Sequence, residues 1–236
     1  MSAIASAHWL ADKVATRPDR EQMRWASFGG GAGIAYVFVH LLPELASHGQ
    51  ALSEAPGMET FAPTPITEAL LFLIALAGIM VTYSIDVLAT HERQAGRIAG
   101  SLHTLHFAAI SYLYAYSLPS LISTGLAYGI LFTIAISAHV LLADRTMAAR
   151  HPAIFRTRMR WLGTAALALG LLHAALLHPV ANLHLAIATA YLGGELLMAV
   201  FREELPAVNR TRLGWLIAGT VSMTSLLLLA LSHATH

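Results

Sequence analysis

Seven long apolar stretches, with every lysine and arginine left outside them, constrain this chain more than any other feature. They run from about Trp25 to Ser47, Ile66 to Thr90, Ile98 to Leu118, Leu121 to Ala143, Trp161 to His178, Ala181 to Phe201 and Leu213 to His233. A helix needs about 20 apolar residues to cross a bilayer. Within lipid it must satisfy its own backbone polar groups, so such runs read as helices. The chain is 56% hydrophobic and 11% charged, against about 25% charged in a soluble domain, so the surplus apolar surface has to face lipid. The expected fold is an all-α membrane protein: a seven-transmembrane helical bundle over residues 25–236, preceded by an N-terminal segment over 1–24.

The cations orient this bundle. All 14 fall in four places: Lys13, Arg17, Arg20 and Arg24; Arg93 and Arg97; Arg145, Arg150, Arg156, Arg158 and Arg160; Arg202, Arg210 and Arg212. With seven spans these places share one side, and the opposite loops carry only Glu54 and Glu59. The positive-inside rule then puts the N-terminus in the cytoplasm and the C-terminus outside. The expected location is a cytoplasmic (inner) membrane, multi-pass and bacterial. Residues 1–24 mix apolar and charged side chains with no continuous apolar run, so they do not form a cleavable signal. They are expected to make an amphipathic helix on the inner surface, ending before Arg17-Pro18.

Several functions are excluded or disfavoured. Without cysteine there are no disulfides, thiolate metal sites or CxxC redox motifs. A net charge of +1 gives no footprint for nucleic acid. No HExxH or nucleotide-binding motif occurs. The oligomeric state is not legible, a homodimer being one option.

A faint internal repeat pairs Gly30-Gly31 with Gly193-Gly194, Val37-Phe38 with Val200-Phe201 and Leu42-Pro43 with Leu205-Pro206, each 163 positions apart. The first and sixth spans point in opposite directions, so the repeat would be inverted, an arrangement that places transporter sites near the midplane.

The 13 histidines are the chemical anomaly, because ionisable groups at membrane depth are costly unless paired or hydrated. His40 and Glu44 share a helical face at i, i+4 near the outer end and make half of a site for zinc or a similar divalent metal. His103, His106, His139 and Glu195, with Asp86 and Asp144 near, form an expected inner layer. His173, with His40, Glu44, His48, His178, His184, His233 and His236, forms an outer one. Such nitrogen and oxygen donors, with no thiol, suit zinc, iron, manganese or cobalt better than copper(I). A single histidine in such a place is by default a structural hydrogen bond. The pattern over facing helices is what points to a cation.

Two segments resemble the ZIP (Zrt/Irt-like) divalent metal permeases. GGGAGIAYVFVHLLPEL (Gly29–Leu45) is similar to that family's second helix, and ATAYLGGELLMAVFREELP (Ala188–Pro206) to its seventh. The resemblance implies helices two to eight of the family, without the first, and metal ligands on the third and fourth spans. There this chain departs from the pattern: it has Ser111-Tyr112-Leu113-Tyr114-Ala115-Tyr116 where the family's His-Asn-x-Pro-Glu-Gly motif falls. Its fourth span keeps His139 but shifts the acid to Asp144.

The functional expectation is divalent metal transport or binding, zinc first, through His40, Glu44, His103, His106, His139, Asp144, His173 and Glu195, and no enzymatic activity. The alternatives are a ZIP-like fold without transport, acting as a sensor or accessory subunit, and a haem-binding electron-transfer protein with axial histidines.

Overall fold

The computed structural model of the protein describes residues 1–15, 19–46, 65–91, 96–150, 152–177, 182–204 and 207–234. Its regular elements there are all helical: α1 (Ser2–Ala15), α2 (Asp19–Tyr36), α3 (Pro65–His91), α4 (Gly96–Thr124), α5 (Leu126–Arg150), α6 (Arg160–Leu176), α7 (Asn182–Ala199) and α8 (Leu213–Ala234).

Three helices carry π-helical turns. Pro43 has no N–H, and its ring would strike the carbonyl four residues back. Before it the helix widens over Val37–Leu41, with the Leu42 N–H bonding to the Val37 carbonyl, and then continues through residues 42–46. α7 widens in the same way over Val200–Glu204, and Val200 stands 163 positions after Val37. The two π turns therefore coincide with the sequence repeat, although Leu205-Pro206 lies outside the described residues. The third turn, Phe155–Met159, leads into α6.

The helices associate as side-by-side pairs: α1 with α5, α2 with α8, α3 with α7 and α4 with α6. Contacts advance along both members of a pair. Ala75 meets Gly194, and Asp86 meets Arg202 further on. Phe107 meets Gly163, and Tyr112 meets Gly170. Small residues permit this closeness. A Cβ on Gly31 would collide with the Leu216 carbonyl oxygen, and one on Gly219 with that of Phe28. In the second pair, a Cβ on Gly194 would collide with the Ala75 carbonyl oxygen, and one on Gly78 with that of Tyr191. Phe28 and Gly31 precede Tyr191 and Gly194 by 163 positions. Ala75 and Gly78 precede Leu216 and Gly219 by 141. One helix crossing is thus built twice from matching positions.

Tyr36, Tyr114, Ile136, Leu167 and Leu227 are among the fully buried side chains at the centre, while Leu105, Ile130, Leu169 and Leu176 face outward. Among the described residues, six helical stretches are long and apolar enough to cross a membrane: Arg20–Ala46, Ala69–Leu88, Gly129–Ala149, Pro152–Leu176, His184–Arg202 and Leu213–Ser232. That is the make-up of a multi-pass membrane protein. The expected third span is not among the six. α4 has 29 residues but carries His103, His106, Ser111, Tyr112, Tyr114, Tyr116 and Ser117, which dilute its apolar character.

α1 ends at Ala15, before Arg17-Pro18. One face of it, Ile4, Ala7, His8 and Ala11, is buried in the bundle. At 14 residues it spans roughly 21 Å, short of the ~30 Å hydrocarbon core. Several arginines lie over aromatic rings: Arg160 lies 4.3 Å from the Trp9 ring, Arg202 5.4 Å from Tyr83 and Arg24 6.0 Å from Trp215.

Candidate metal centre

A cavity of about 140 Å³ opens between α1, α3, α4, α5 and α7. Helical periodicity sets what faces it. His103, His106, Ile110 and Tyr114 fall at i, i+3, i+7 and i+11, one stripe of α4. His139, Val140, Ala143 and Asp144 form the facing stripe of α5, while Asp86 comes from α3 and Glu195 from α7. The inner layer expected from sequence is thus assembled around one space. Four imidazoles, counting His8 from α1, and three carboxylates line it together with apolar side chains.

Within it, polar groups meet in pairs. Tyr114 donates its hydroxyl hydrogen to Glu195 Oε2 at 2.8 Å. His139 Nε2 stands 3.9 Å from Glu195 Oε1. His8 Nδ1 lies 2.6 Å from Asp144 Oδ2, both side chains almost fully buried. His106 Nε2 lies 3.3 Å from Thr82 Oγ1. Asp86 Oδ2 accepts from Arg202 at 2.8 Å, the most exposed of these contacts. In an interior of low dielectric, each such pairing offsets the cost of burying its polar members.

The other expected ligands lie apart. His40 Nε2 is 3.1 Å from Glu44 Oε2, and the His40 ring stands edge-on to Tyr36 at 5.1 Å. His40 and Glu44 are not among the cavity-lining residues. His173 joins neither group: its Nδ1 contacts the Tyr112 hydroxyl, and its ring lies 5.4 Å from Tyr116. His184 is exposed. His48, His178 and His236 lie outside the described residues.

Among the described residues, no three His, Asp or Glu side chains converge tightly enough to hold a metal ion as they stand. The donor chemistry nonetheless fits one. Imidazole nitrogens and carboxylate oxygens without thiolate suit zinc, iron, manganese and cobalt. His139, Glu195, Asp144 and His106 are the candidate donors that line the same cavity. Sequence reasoning missed His8 and Tyr114. His8 belongs to the face Ile4, Ala7, His8, Ala11, an i, i+3, i+4, i+7 stripe readable as a buried helix side. Tyr114 stood within a segment noted for lacking ligands. No protein-family model matches the chain, and no curated protein matches it.

Proposed function

We propose that this protein binds a divalent cation of the zinc or iron type in the polar cavity and carries it across the membrane as a ZIP-like permease. One observation carries the reading: histidines and carboxylates from α1, α3, α4, α5 and α7 share one cavity inside an otherwise apolar bundle. Intramembrane ionisable groups mark ion or proton pathways. The cation is cargo, held in turn by His139, Glu195, Asp144, His103 and His106. His40 and Glu44 would form a separate station beside the π turn, near the opposite end of the membrane. The twice-built crossing, α2 on α8 and α7 on α3, supports an inverted repeat, the arrangement on which alternating access is based. In this reading α4 is a seventh span. The arginine end is cytoplasmic by the positive-inside rule, the membrane is the inner one of a bacterium, and the ions move down an existing gradient.

The test is zinc uptake into vesicles holding the purified protein, beside His139→Ala and His106→Ala. Wild-type uptake well above empty vesicles, with loss in both variants, bears the reading out. Equal uptake in all three removes it.

The second reading, a cation sensor or accessory subunit without transport, is favoured by the donors being held apart in hydrogen-bonded pairs. Zinc binding without flux would select it. A haem protein is disfavoured, because ~300 Å³ is the lower end for drug-sized ligands and the cavity is about 140 Å³.

A further inference from the structure

The polar cavity borders one of the two matching crossings, and the same positions on the other crossing are packed shut. The two crossings are inverted copies. A Cβ on Gly193 of α7 would stand 3.1 Å from the Leu41 side chain, whereas Val200–Glu204, further along, packs on α2, which precedes Leu41. α2 and α7 therefore run in opposite directions. The correspondence reaches a second set of helices. Ile4, Ala7 and Ala11 are buried on α1, and Leu167, Gly170 and Ala174, each 163 positions later, are buried on α6. The pairing obeys the same exchange: α2 on α8 matches α7 on α3, and α1 on α5 matches α6 on α4.

On α3 and α7 the cavity is lined by Thr82, Ile85, Asp86, Glu195 and Ala199. Their counterparts on α8 and α2 are Met223, Leu226, Leu227, Ala32 and Tyr36. Leu226 is exposed. Tyr36, Met223 and Leu227 are buried in the central apolar core, with Ala32 packed against it. Matching backbones are thus hollow in one copy and filled in the other. Packed interfaces switch between discrete arrangements rather than deforming continuously, and inverted repeats supply two such arrangements by exchanging roles. We propose that this protein has a second conformation, in which the α2–α8 pair and its neighbours part. A cavity lined by Ala32, Tyr36, Met223 and Leu227 then opens towards the opposite face of the membrane while the present one closes. The inference deepens the transport reading and rests on it for the role of the change. The Tyr36 ring stands edge-on to His40 at 5.1 Å, so its displacement would join His40 and Glu44 to the new space. The apolar wall suits a gate, because an apolar constriction sheds water when it closes.

The experiment places single thiols in the full chain, which has no cysteine of its own. The variants are Ala32→Cys, Met223→Cys and Leu227→Cys, with Leu228→Cys, at an exposed apolar position of α8, as the lipid-side control. In intact cells a membrane-impermeant methanethiosulfonate should modify the first three from outside, at a rate that changes several-fold when zinc is added. Leu228→Cys should stay unmodified, because the thiolate is the reactive form and lipid disfavours it. Tyr36→Ala removes a fully buried ring from the closed form, and should speed modification when combined with Met223→Cys. Thermal unfolding of each purified variant shows which of them are folded, and the three positions are read separately. Folded variants that take up zinc while all three thiols stay unmodified, with and without zinc, would overturn the second conformation and leave transport standing. Modification of Leu228→Cys as fast as the other three would also overturn it, since the reagent would then not be entering through a cavity. Modification of the three thiols in a protein that takes up no zinc would remove the transport reading and keep the second conformation.

Discussion

The Tyr114 hydroxyl on α4 donates to Oε2 of Glu195 on α7 at 2.8 Å, while His139 on α5 faces the other carboxylate oxygen at 3.9 Å. Three helices thus meet on one buried side chain. A hydrogen bond to a charged group contributes about 1.5–3 kcal/mol, and stranding the buried carboxylate costs more. Tyr114→Phe should therefore lower the thermal stability of the detergent-purified protein. Zinc stabilises a protein whose folded state binds it. If zinc takes the place of the lost hydroxyl, it should raise the melting temperature more in Tyr114→Phe than in wild type. An equal increment in both would show that the ion does not meet Glu195.

The twice-built crossing predicts a paired response. Alanine in place of glycine favours a helix by about 1 kcal/mol, so the sign of a substitution depends on space. Gly31→Ala and Gly194→Ala both force a Cβ onto a facing backbone oxygen, while the same change at Gly214 meets open space. Overpacking costs roughly 1–3 kcal/mol. Thermal unfolding should show both crossing variants destabilised to a similar degree and Gly214→Ala unchanged or stabilised. A large difference between Gly31→Ala and Gly194→Ala would break the equivalence of the two crossings.

How far the sequence reached depends on what hydropathy measures. Apolar length marks a helix, so the helical runs and their order were legible. It does not give azimuth. His173 was grouped with His40 and Glu44 by depth alone, but the structure turns it towards Tyr112 and Tyr116. His103, His106, His139 and Glu195 do share one cavity, because their helical phases agree there. His8 escaped because Asp12 and Lys13, close by, gave its helix the look of a surface segment. Yet Asp12 pairs with Arg156, and the opposite face is buried. Tyr114 escaped because a phenol is no usual metal ligand. Its hydroxyl donates to Glu195 instead.

Asp86 and Arg202 make opposite predictions for cation access. Their pair, at 2.8 Å with side chains 19% and 35% exposed, is at the open side of the cavity, where such a pair contributes no more than about 1 kcal/mol. Asp86→Asn should leave thermal stability nearly unchanged but slow zinc uptake into vesicles several-fold, by removing negative charge from the route. Arg202→Gln should speed it, by removing the competing cation. Uptake indifferent to both would place the route elsewhere.

Whether α4 crosses the membrane decides the topology, and its two faces answer differently. Its 29 residues span roughly 43 Å, ample for the ~30 Å core. Hydropathy averaged along α4 counts His103, His106 and Tyr114, which face the cavity rather than the outside of the bundle. Leu102, Leu105 and Ile122 are exposed and apolar, as a lipid-facing surface requires. If α4 stayed on one side, the arginines from Arg145 to Arg160 would lie across the membrane from Arg20 and Arg24, against the positive-inside rule. The chain has no cysteine, so a single introduced thiol reports without background. Ser101 and Ser123, towards the two ends of α4, are both exposed. In intact cells a membrane-impermeant maleimide should label Ser123→Cys directly, and should label Ser101→Cys only after permeabilisation. Labelling of both from one side would leave α4 folded back within the bundle, cut the crossings to six and bring the two termini to the same face.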